Sequence, residues 1–475
     1  MSVFRYPSGL PLLLLATLGC VRYAPAPLEL GLHPAAYRAR RLTEPKLLAW
    51  VARWTARPEG LRWNDRQLAL VALATRSDLA RARVDWRTAQ ASERTAGERP
   101  RPGLEAGVER AVSGSEGNSP WVISLAGLVD LELGGKRGAR VQRARAQAAV
   151  AEAELRLTAW RVVLDVRAAA LALSSGAADL ALARREVAAL EGVRQLETDR
   201  YREASLTAAE LARTGAEAQD ARVRTSAVES QLLEARVALA SALAVPAVAV
   251  DSLDLTFEPV VRCGELARVG ADSLATLALS SRPEIGMALA GYAVSEASLR
   301  LEVARQYPDL ELGPGFVWDQ GVHRWTLALA LPGLLAFRNR GAIKEAEASR
   351  TAAAARVAEL QDELLGDVEL AVARCRGAAL QRAAADSQVT IARQSADAAR
   401  AAYARGETSR LDPALAELAL LRAERARVGA DARLRASDHA LDAALGGFPG
   451  PDQGRWPDPR DDIVDMTSPT HRAPR

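Results

Sequence analysis

Alternating apolar and polar positions mark two pairs of short strands, one pair in each half of the chain. The first pair covers residues 104–112 and 121–131, and the second covers 310–319 and 325–332. A period of two, with one apolar face and one small or polar face, predicts strands with unlike environments on their two sides. Strands of about ten residues have the length needed to cross a membrane in a barrel. A soluble hairpin that buries an aromatic ring is the alternative.

A long alanine-rich stretch without proline follows each strand pair. Residues 138–200 and 342–400 lack proline, and apolar residues recur in the first of them at spacings of four or seven, as a packed helical stripe requires. At about 1.5 Å per residue, each helix would reach roughly 90 Å. Shorter periodic stretches over 206–243 and 412–445 predict a return helix after each long one. The pattern therefore predicts two long helical hairpins.

The order of these elements indicates an internal duplication. Arg76-Ser-Asp matches Arg282-Pro-Glu, and the run from Tyr201 to Thr207 matches the run from Tyr403 to Ser409. Compositional bias alone explains similar helices, but it does not explain ordered Trp, Pro, Gly and Tyr landmarks at a nearly constant offset. The predicted segments are a first repeat at 45–245, a linker at 246–266, a second repeat at 267–446 and a disordered, proline-rich tail at 447–475.

The N-terminus has the pattern of an export signal. Residues 1–19 carry a weakly basic start and a short apolar run, which is typical of a signal peptide. Gly19 followed by Cys20 is similar to a bacterial lipobox, so Cys20 is the predicted lipidation site and 20–44 the lipid-anchored segment. Val21 after the cysteine favours the outer membrane. An ordinary signal peptide with an incidental cysteine is the alternative.

Composition and charge narrow the function further. The 475-residue chain has a net charge of +3 and only 4% aromatic residues, which suits long helices packed by small side chains and gives no sign of nucleic-acid binding. No 18-residue apolar stretch is evident, so a transmembrane helix is not expected. Cys263 and Cys375 could form a disulfide in an oxidising compartment, but helix packing by Cys375 is the favoured interpretation.

Catalytic and metal-binding patterns are missing from the sequence. It has no Gly-rich phosphate loop after a strand, no nucleophile elbow and no His/Cys/Asp cluster, and its four histidines are scattered. We therefore expect neither an enzyme, nor a cofactor, nor a metal site.

Together these features resemble the TolC-like outer-membrane efflux protein family, in its lipoprotein branch. The resemblance rests on the strand-to-helix motifs at 134–140 and 337–343, on the tip pattern that runs from Tyr403 through Gly406 to Asp412, and on the lipobox-like start. It implies a mainly α fold with β-strands, built from a duplicated strand pair plus long helix. It further implies a homotrimer, with a twelve-stranded transmembrane β-barrel continued by a periplasmic α-helical barrel.

The same resemblance implies transport rather than catalysis. The expected protein is the outer-membrane exit duct of a tripartite efflux or type I secretion system. Its expected partners are further copies of itself, a periplasmic adaptor, an inner-membrane RND or ABC pump, and outer-membrane lipid. A periplasmic, lipid-anchored coiled-coil adaptor or scaffold is the alternative, although such a protein would lack duplicated amphipathic strand pairs.

Two groups of site residues follow from these considerations. The expected contacts at the periplasmic tips, which would dock on the adaptor, are Tyr201, Ala204, Glu210, Tyr403, Gly406, Thr408 and Asp412. Gly406 would take a positive φ, Asp412 would cap the return helix, and Ala204 puts a strained φ in doubt for the first tip. Thr408 occupies a position where some family members carry a locking arginine. Trp121, Trp318 and Trp325, near strand ends, are expected to form an aromatic girdle.

Overall fold

The computed structural model describes residues 23–28, 31–60, 62–110, 112, 119–257, 262–265, 270–319, 321–332, 339–446 and 456–460. The predicted signal peptide and Cys20 lie outside these residues. The strands are β1 Arg62–Asn64, β2 Gly103–Arg110, β3 Trp121–Leu131, β4 Asp254–Thr256, β5 Leu310–Asp319 and β6 Val322–Ala330. The helices are α1 Leu32–Ala39, α2 Pro45–Val51, α3 Asp65–Thr75, α4 Ser77–Ala96, α5 Lys136–Arg202, α6 Ala208–Ala242, α7 Arg262–Glu265, α8 Ala271–Ser281, α9 Pro283–Ala304, α10 Arg340–Ala404 and α11 Leu411–Leu445.

Four of the strands form one antiparallel sheet in the order β2-β3-β5-β6. The predicted positions are close to the observed ones, and β3 and β5 agree in both bounds. Strand β2 begins one residue and ends two residues before its predicted bounds, and β6 begins three residues and ends two residues before them. Strands from the two halves of the chain meet where β3 pairs with β5, with Leu125 opposite Phe316. The two halves of the chain therefore meet at the centre of the sheet, between β3 and β5.

Two long helical hairpins extend from this sheet. Helix α5 has 67 residues and α10 has 65, and each turns back into a 35-residue partner, α6 or α11. Gly176 lies inside the continuous helix α5. At about 1.5 Å per residue the long helices reach roughly 100 Å. The two hairpins therefore form a long, extended helical part of the molecule.

The main core lies in the first half, around α3. All residues of α3 except Arg66 are buried, and they pack against α2, α5 and the end of α6. Asn64 is the N-cap of α3. The Asn64 side chain accepts a hydrogen bond from the backbone N–H of Gln67, and the Gln67 side chain accepts one from the N–H of Asn64. This capping box satisfies two backbone donors of the helix start and leaves Asp65 available for an ion pair.

The two halves build the same ionic arrangement at equivalent positions. Arg76 forms an ion pair with Asp78, and its guanidinium lies 3.1 Å from the carboxylate of Asp165. Arg282 contacts Glu284 at 3.1 Å and Asp367 at 3.7 Å. In each half the arginine precedes a helix and reaches a carboxylate on the long helix, so the matched sequence landmarks correspond to matched contacts.

The segment that links the halves is more ordered than a simple linker. Strand β4 pairs in parallel with β1, placing Asp254 beside Arg62. Cys263 forms a disulfide with Cys375 of α10, across 112 residues of sequence. The expectation that Cys375 serves only for helix packing is therefore wrong: it is buried and also cross-linked. Spacing alone could not show this, because the bond depends on α7 lying against α10.

Part of the predicted disordered tail packs against the helices. Trp456 lies against the core of the first half, and the Arg66 guanidinium sits 5.2 Å from its ring centroid. Arg83 donates to the carbonyl of Pro459 at 2.7 Å, and Arg460 pairs with Glu152 at 3.3 Å. Disorder is thus the wrong prediction for residues 456–460, which pack on the helices through Trp456 and through the contacts of Pro459 and Arg460. The rest of the tail lies outside the described residues.

Among the described helices, one is long and apolar enough by length and composition to cross a membrane, namely α5. The expectation that no such stretch exists was therefore wrong. This helix packs against α4, α6, α9 and α11, and it contains the buried Leu155, Trp160 and Val166. At 67 residues it is about three times longer than a membrane span, and 33% of its apolar stretch is buried.

Candidate functional site

The first helical tip joins α5 to α6 through a left-handed residue. Ala204 has φ +56°, the N–H of Ser205 donates to the carbonyl of Arg200, and the N–H of Ala204 donates to that of Tyr201. These two bonds form a Schellman motif, which satisfies carbonyls at a helix end. Thr207 and Glu210 then form a capping box at the start of α6.

The second tip, between α10 and α11, makes the same Schellman turn with different residues. Gly406 has φ +75°, and the N–H of Glu407 donates to the carbonyl of Ala402. The Asp412 carboxylate accepts hydrogen bonds from the backbone N–H and the hydroxyl of Ser409, at 2.9 and 2.7 Å. Asp412 thus stabilises the start of α11 through its side chain, as Glu210 does at the first tip.

Ala204 corrects one expectation about these turns. The absence of glycine at the first tip suggested that a positive φ was doubtful there, but Ala204 adopts it. The Schellman bonds and the capping box hold the backbone on both sides of the residue, and this outweighs a left-handed cost of roughly 1–2 kcal/mol for a side chain with a Cβ. Sequence reasoning compared only the residue types and missed the capping box that Thr207 and Glu210 form after the turn.

Both tips expose aromatic and polar side chains. Tyr201 and Tyr403 are 45% and 46% exposed, and Thr408 is exposed. Near Thr408, Arg405 donates to the carboxylate of its neighbour Glu407 at 2.6 and 2.8 Å, and this bond raises the pKa of Arg405. The described contacts of Arg405 are therefore within its own tip, and the two tyrosines are available for a partner.

The sheet presents two unlike faces. The strand register places on one face mainly large apolar side chains, together with Arg110 and His323. The same register places mainly small and charged side chains on the other face, including Glu105, Glu109, Asp130, Glu311, Asp319 and Arg324, together with Val122, Leu128, Val317 and Val322. Most of the large side chains are exposed in one copy of the chain, and Trp325 is 85% exposed. Such a face needs an apolar environment that one copy does not supply.

The three tryptophans predicted as a girdle share this apolar face. Trp121 begins β3, Trp318 is next to last in β5, and Trp325 lies near the start of β6. The rings of Trp325 and Phe316 meet edge to face at 5.3 Å between centroids. All three tryptophans lie toward the sheet end that is remote from the long helices.

The strand-to-helix motif at 134–140 anchors the long helix to the sheet. Lys136 Nζ lies 2.8 Å from an Asp309 carboxylate oxygen, beside the start of β5. Arg140 pairs with Glu132 and donates to the carbonyl of Glu98 at 3.2 Å. The basic residues of the motif therefore fix the geometry between sheet and helix, which is a structural role.

A ladder of ion pairs joins the first hairpin to α11, and sequence reasoning missed it. Arg425 contacts Asp179 at 2.6 Å and Glu186 at 3.2 Å, and Arg422 contacts the other Glu186 oxygen at 3.2 Å. Glu186 is only 5% exposed. Further along, Leu190 and Leu418 pack together. The partners are about 240 residues apart, so no local spacing could reveal them.

A second buried ionic cluster joins α3, α5 and α11. The Arg167 guanidinium lies 3.0 Å from Asp65 Oδ2 and 3.0 Å from Asp442 Oδ2. His439 Nε2 is 4.0 Å from Asp65 Oδ2. Burial, followed by repulsion from Arg167, lowers the pKa of His439 to about 4. The imidazole is therefore neutral at pH 7.

In the part of the chain that the structure describes, no group of three or more His, Cys, Asp or Glu side chains is placed to hold a metal ion. The acids of the two ionic clusters described above are paired with arginines.

Comparison with known families and structures gives one consistent result. Residues 68–245 and 274–447 match the family model described as outer membrane efflux protein. No curated protein sequence matches the chain.

Several solved structures share the fold. The outer membrane protein VceC of Vibrio cholerae is 22% identical, with a TM-score of 0.65 over 81% of this chain and 96% of its own. A membrane protein of Pseudomonas aeruginosa is 22% identical, with a TM-score of 0.67 over 86% of this chain and 93% of its own. The MtrE outer membrane channel of Neisseria gonorrhoeae, in its open state, is 18% identical, with a TM-score of 0.62 over 81% and 89%.

Proposed function

Because this chain belongs to the outer membrane efflux protein family, we propose that its sheet closes with those of two further copies into a twelve-stranded barrel. The protein is an outer-membrane exit duct for efflux and not an enzyme. What we propose beyond this is that three copies assemble, that their strands form a closed barrel, and that their helices form a continuous tube.

The two-faced sheet with its two edge strands is the observation that carries this proposal. A sheet of four strands is too narrow to close on itself, since small membrane barrels need about eight. Strands β2 and β6 lie at opposite edges and run in opposite directions. Pairing β6 of one copy with β2 of the next therefore continues the antiparallel order, and it removes the exposed edges that membranes do not tolerate.

The two faces then acquire distinct environments. The apolar face, with Leu125, Phe316 and Leu327, would meet lipid, and the face with Glu105 and Glu311 would line an aqueous lumen. The hairpins of three copies would continue the lumen as a periplasmic tube. A soluble adaptor or scaffold would leave this apolar face without a function, so the duct accounts for more of the structure.

Partners and anchoring complete the proposal. The tips, with Tyr201 and Tyr403 exposed, would dock on a periplasmic adaptor that connects to an inner-membrane RND or ABC pump. Processing after residue 19, lipid attachment at Cys20 and a lipid-anchored segment at 20–44 remain proposals drawn from the sequence. The mass of the N-terminal peptide from membrane-extracted protein would decide them, because an unmodified Cys20 would exclude the anchor.

Two measurements on the same purified sample test the duct. Light scattering in detergent should give the mass of three chains, and planar bilayers should show conductance steps after reconstitution. A monomer without conductance would overturn the trimeric barrel. A trimer that conducts no ions would leave the assembly intact and refute an open lumen, with a resting closed tip as the next question.

Replacement of Gly406 by valine should impair export. The φ of +75° is open to glycine, whereas a β-branched residue there is strained. The tip should then rearrange and dock poorly on the adaptor. Export of a pump substrate, measured at equal surface abundance, should fall about tenfold, which corresponds to roughly 1.4 kcal/mol of lost docking free energy.

Gly406→Asn is the matched control, since asparagine tolerates a left-handed backbone and a Cβ added at this position would meet open space. The asparagine variant should retain most of its export. Full export by the valine variant would show that the geometry of this tip is unimportant for docking.

A further inference from the structure

The apolar face of the sheet ends in a group of aromatic and basic side chains. We call Arg110, Trp121, Trp318, His323 and Trp325 the distal belt. The register places Arg110 opposite Trp121 and Trp318 opposite His323. The Arg110 guanidinium carbon lies 5.7 Å from the Trp121 ring centroid, and the His323 ring stacks on Phe316 at 5.6 Å. The belt therefore combines rings with cationic and hydrogen-bonding groups.

The belt lies at the sheet end that is remote from the helices. Strands β2 and β5 run from the helical side and finish at Arg110 and Asp319, whereas β3 and β6 start there and return. If the helices are periplasmic, as proposed above, the belt lies at the external surface of the outer membrane. Aromatic residues collect at that level because their rings are apolar and their polar atoms reach water.

Arg110 is the unusual member of this face. Along β2 the same face carries Leu104, Ala106 and Val108, so a charged side chain interrupts an apolar series. Arg324 lies at the same sheet end but on the opposite face, where it pairs with Asp319 at 3.0 Å. Within the described residues, the Arg110 guanidinium contacts an aromatic ring and no carboxylate. Its charge thus points to an anionic group from outside the protein.

Closure of the barrel would add a second basic group beside Arg110. Strand β6 of one copy would pair with β2 of the next copy, and the line where they meet is here called the seam. The ends of both strands that are remote from the helices would lie at the same membrane surface. His323 near the start of β6 and Arg110 at the end of β2 would then lie at this surface, on the same apolar face of the barrel. The seam between copies would present a guanidinium, an imidazole and tryptophan rings together.

We propose that the distal belt binds the phosphate-bearing headgroup of outer-leaflet lipid, with Arg110 as the main phosphate contact. A guanidinium donates two parallel hydrogen bonds to a phosphate, and the neighbouring rings pack on the adjoining acyl or sugar groups. The apolar strands below the belt are continuous with it, which favours a lipid over a free phosphate. This inference rests on the proposed barrel, because it requires the apolar face to meet the membrane.

Titration of the purified full-length protein in neutral detergent with diphosphoryl lipid A, read by native mass spectrometry, tests the inference. The affinity of Arg110→Gln should be about fivefold weaker than that of the unchanged protein, since one basic residue near an anionic membrane surface contributes about that factor. The matched control Arg324→Gln removes an arginine from the other face at the same level and should bind as the unchanged protein does. Phosphatase-treated lipid A should bind about equally to all three.

Other outcomes have distinct meanings. Equal affinity of Arg110→Gln and the unchanged protein for diphosphoryl lipid A, in a sample that conducts ions, would overturn the lipid site and leave the duct in place. Equal weakening by Arg110→Gln and Arg324→Gln would also overturn it, because general charge rather than the apolar face would then govern binding. A sample that neither assembles nor conducts would overturn the duct and this inference together.

Discussion

Replacement of Gly446 by alanine should cost about 3 kcal/mol of stability, which is large for the addition of one methyl group. Gly446 follows the last residue of α11 with φ +72°. A Cβ there would lie 2.5 Å from the Arg282 Cα and 2.6 Å from its backbone nitrogen. The expected cost combines roughly 1 kcal/mol or more of left-handed strain with about 1–3 kcal/mol of overpacking.

Arg282 has little freedom to move away from such a methyl group. Its guanidinium donates to the carbonyls of Ala443 and Ala444, at 3.0 and 3.4 Å, and contacts Glu284. The side chain therefore holds the end of α11 against the start of α9. A shift of the Arg282 backbone would break these contacts, so neither partner can relieve the clash at low cost.

Gly406→Ala is the matched control for this prediction. Gly406 also has a left-handed backbone after a long helix, but no atom lies within 4 Å of the place that a Cβ would take. Alanine there should cost only the strain of about 1 kcal/mol, and Ala204 already accepts that conformation. Unfolding of both variants in detergent, followed by helical circular dichroism, measures the difference. Equal losses for the two variants would show that the close approach to Arg282 is relieved by a small movement.

The sequence predicted the elements well because their periods are local properties. Alternation located β3 and β5 to the residue, and the proline-free stretches located α5 and α10 within four residues at each end. The tips were also locatable, since capping residues and glycine leave a short-range pattern. What the sequence could not supply were contacts across hundreds of residues: the Cys263–Cys375 disulfide, the Arg425 ladder and the packing of Trp456.

Arg167 illustrates this limit and leads to the second large effect. In the sequence Asp165-Val-Arg167 of the first repeat aligns with Asp367-Val-Glu of the second. In the structure the arginine is the cation between Asp65 and Asp442, and the matching position in the second half, Glu369, carries the opposite charge. The duplication has therefore diverged where α3 of the first half meets α11 of the second.

Arg167→Met should destabilise the protein by about 3–5 kcal/mol at pH 7, because two nearly buried carboxylates would lose their cation. Asp65 and Asp442 side chains are only 8% and 4% exposed. Arg184→Met, on the same helix, is the control: Arg184 pairs with Glu229 in solvent, so its loss should change stability by less than about 1 kcal/mol. Similar losses for both variants would mean that water reaches the Arg167 cluster.

The pH dependence of the same variant provides an independent signature through His439. In the unchanged protein its pKa is lowered to about 4 by burial first and then by Arg167, with Arg435 adding to the repulsion and Asp65 and Asp442 opposing it. Between pH 6.5 and 4 the unfolded chain binds a proton at this histidine and the folded chain does not, so the free energy of unfolding falls as the pH falls.

Without Arg167 the repulsion disappears and the carboxylates attract the imidazolium, so the pKa of His439 should rise. The stability difference between Arg167→Met and the unchanged protein should therefore shrink as the pH is lowered from 7 to 5, since His439 then supplies the missing cation. A stability difference that stays constant from pH 7 to 5 would show that protonation of His439 does not compensate for the lost arginine. The ionic cluster would then consist of Arg167, Asp65 and Asp442 alone.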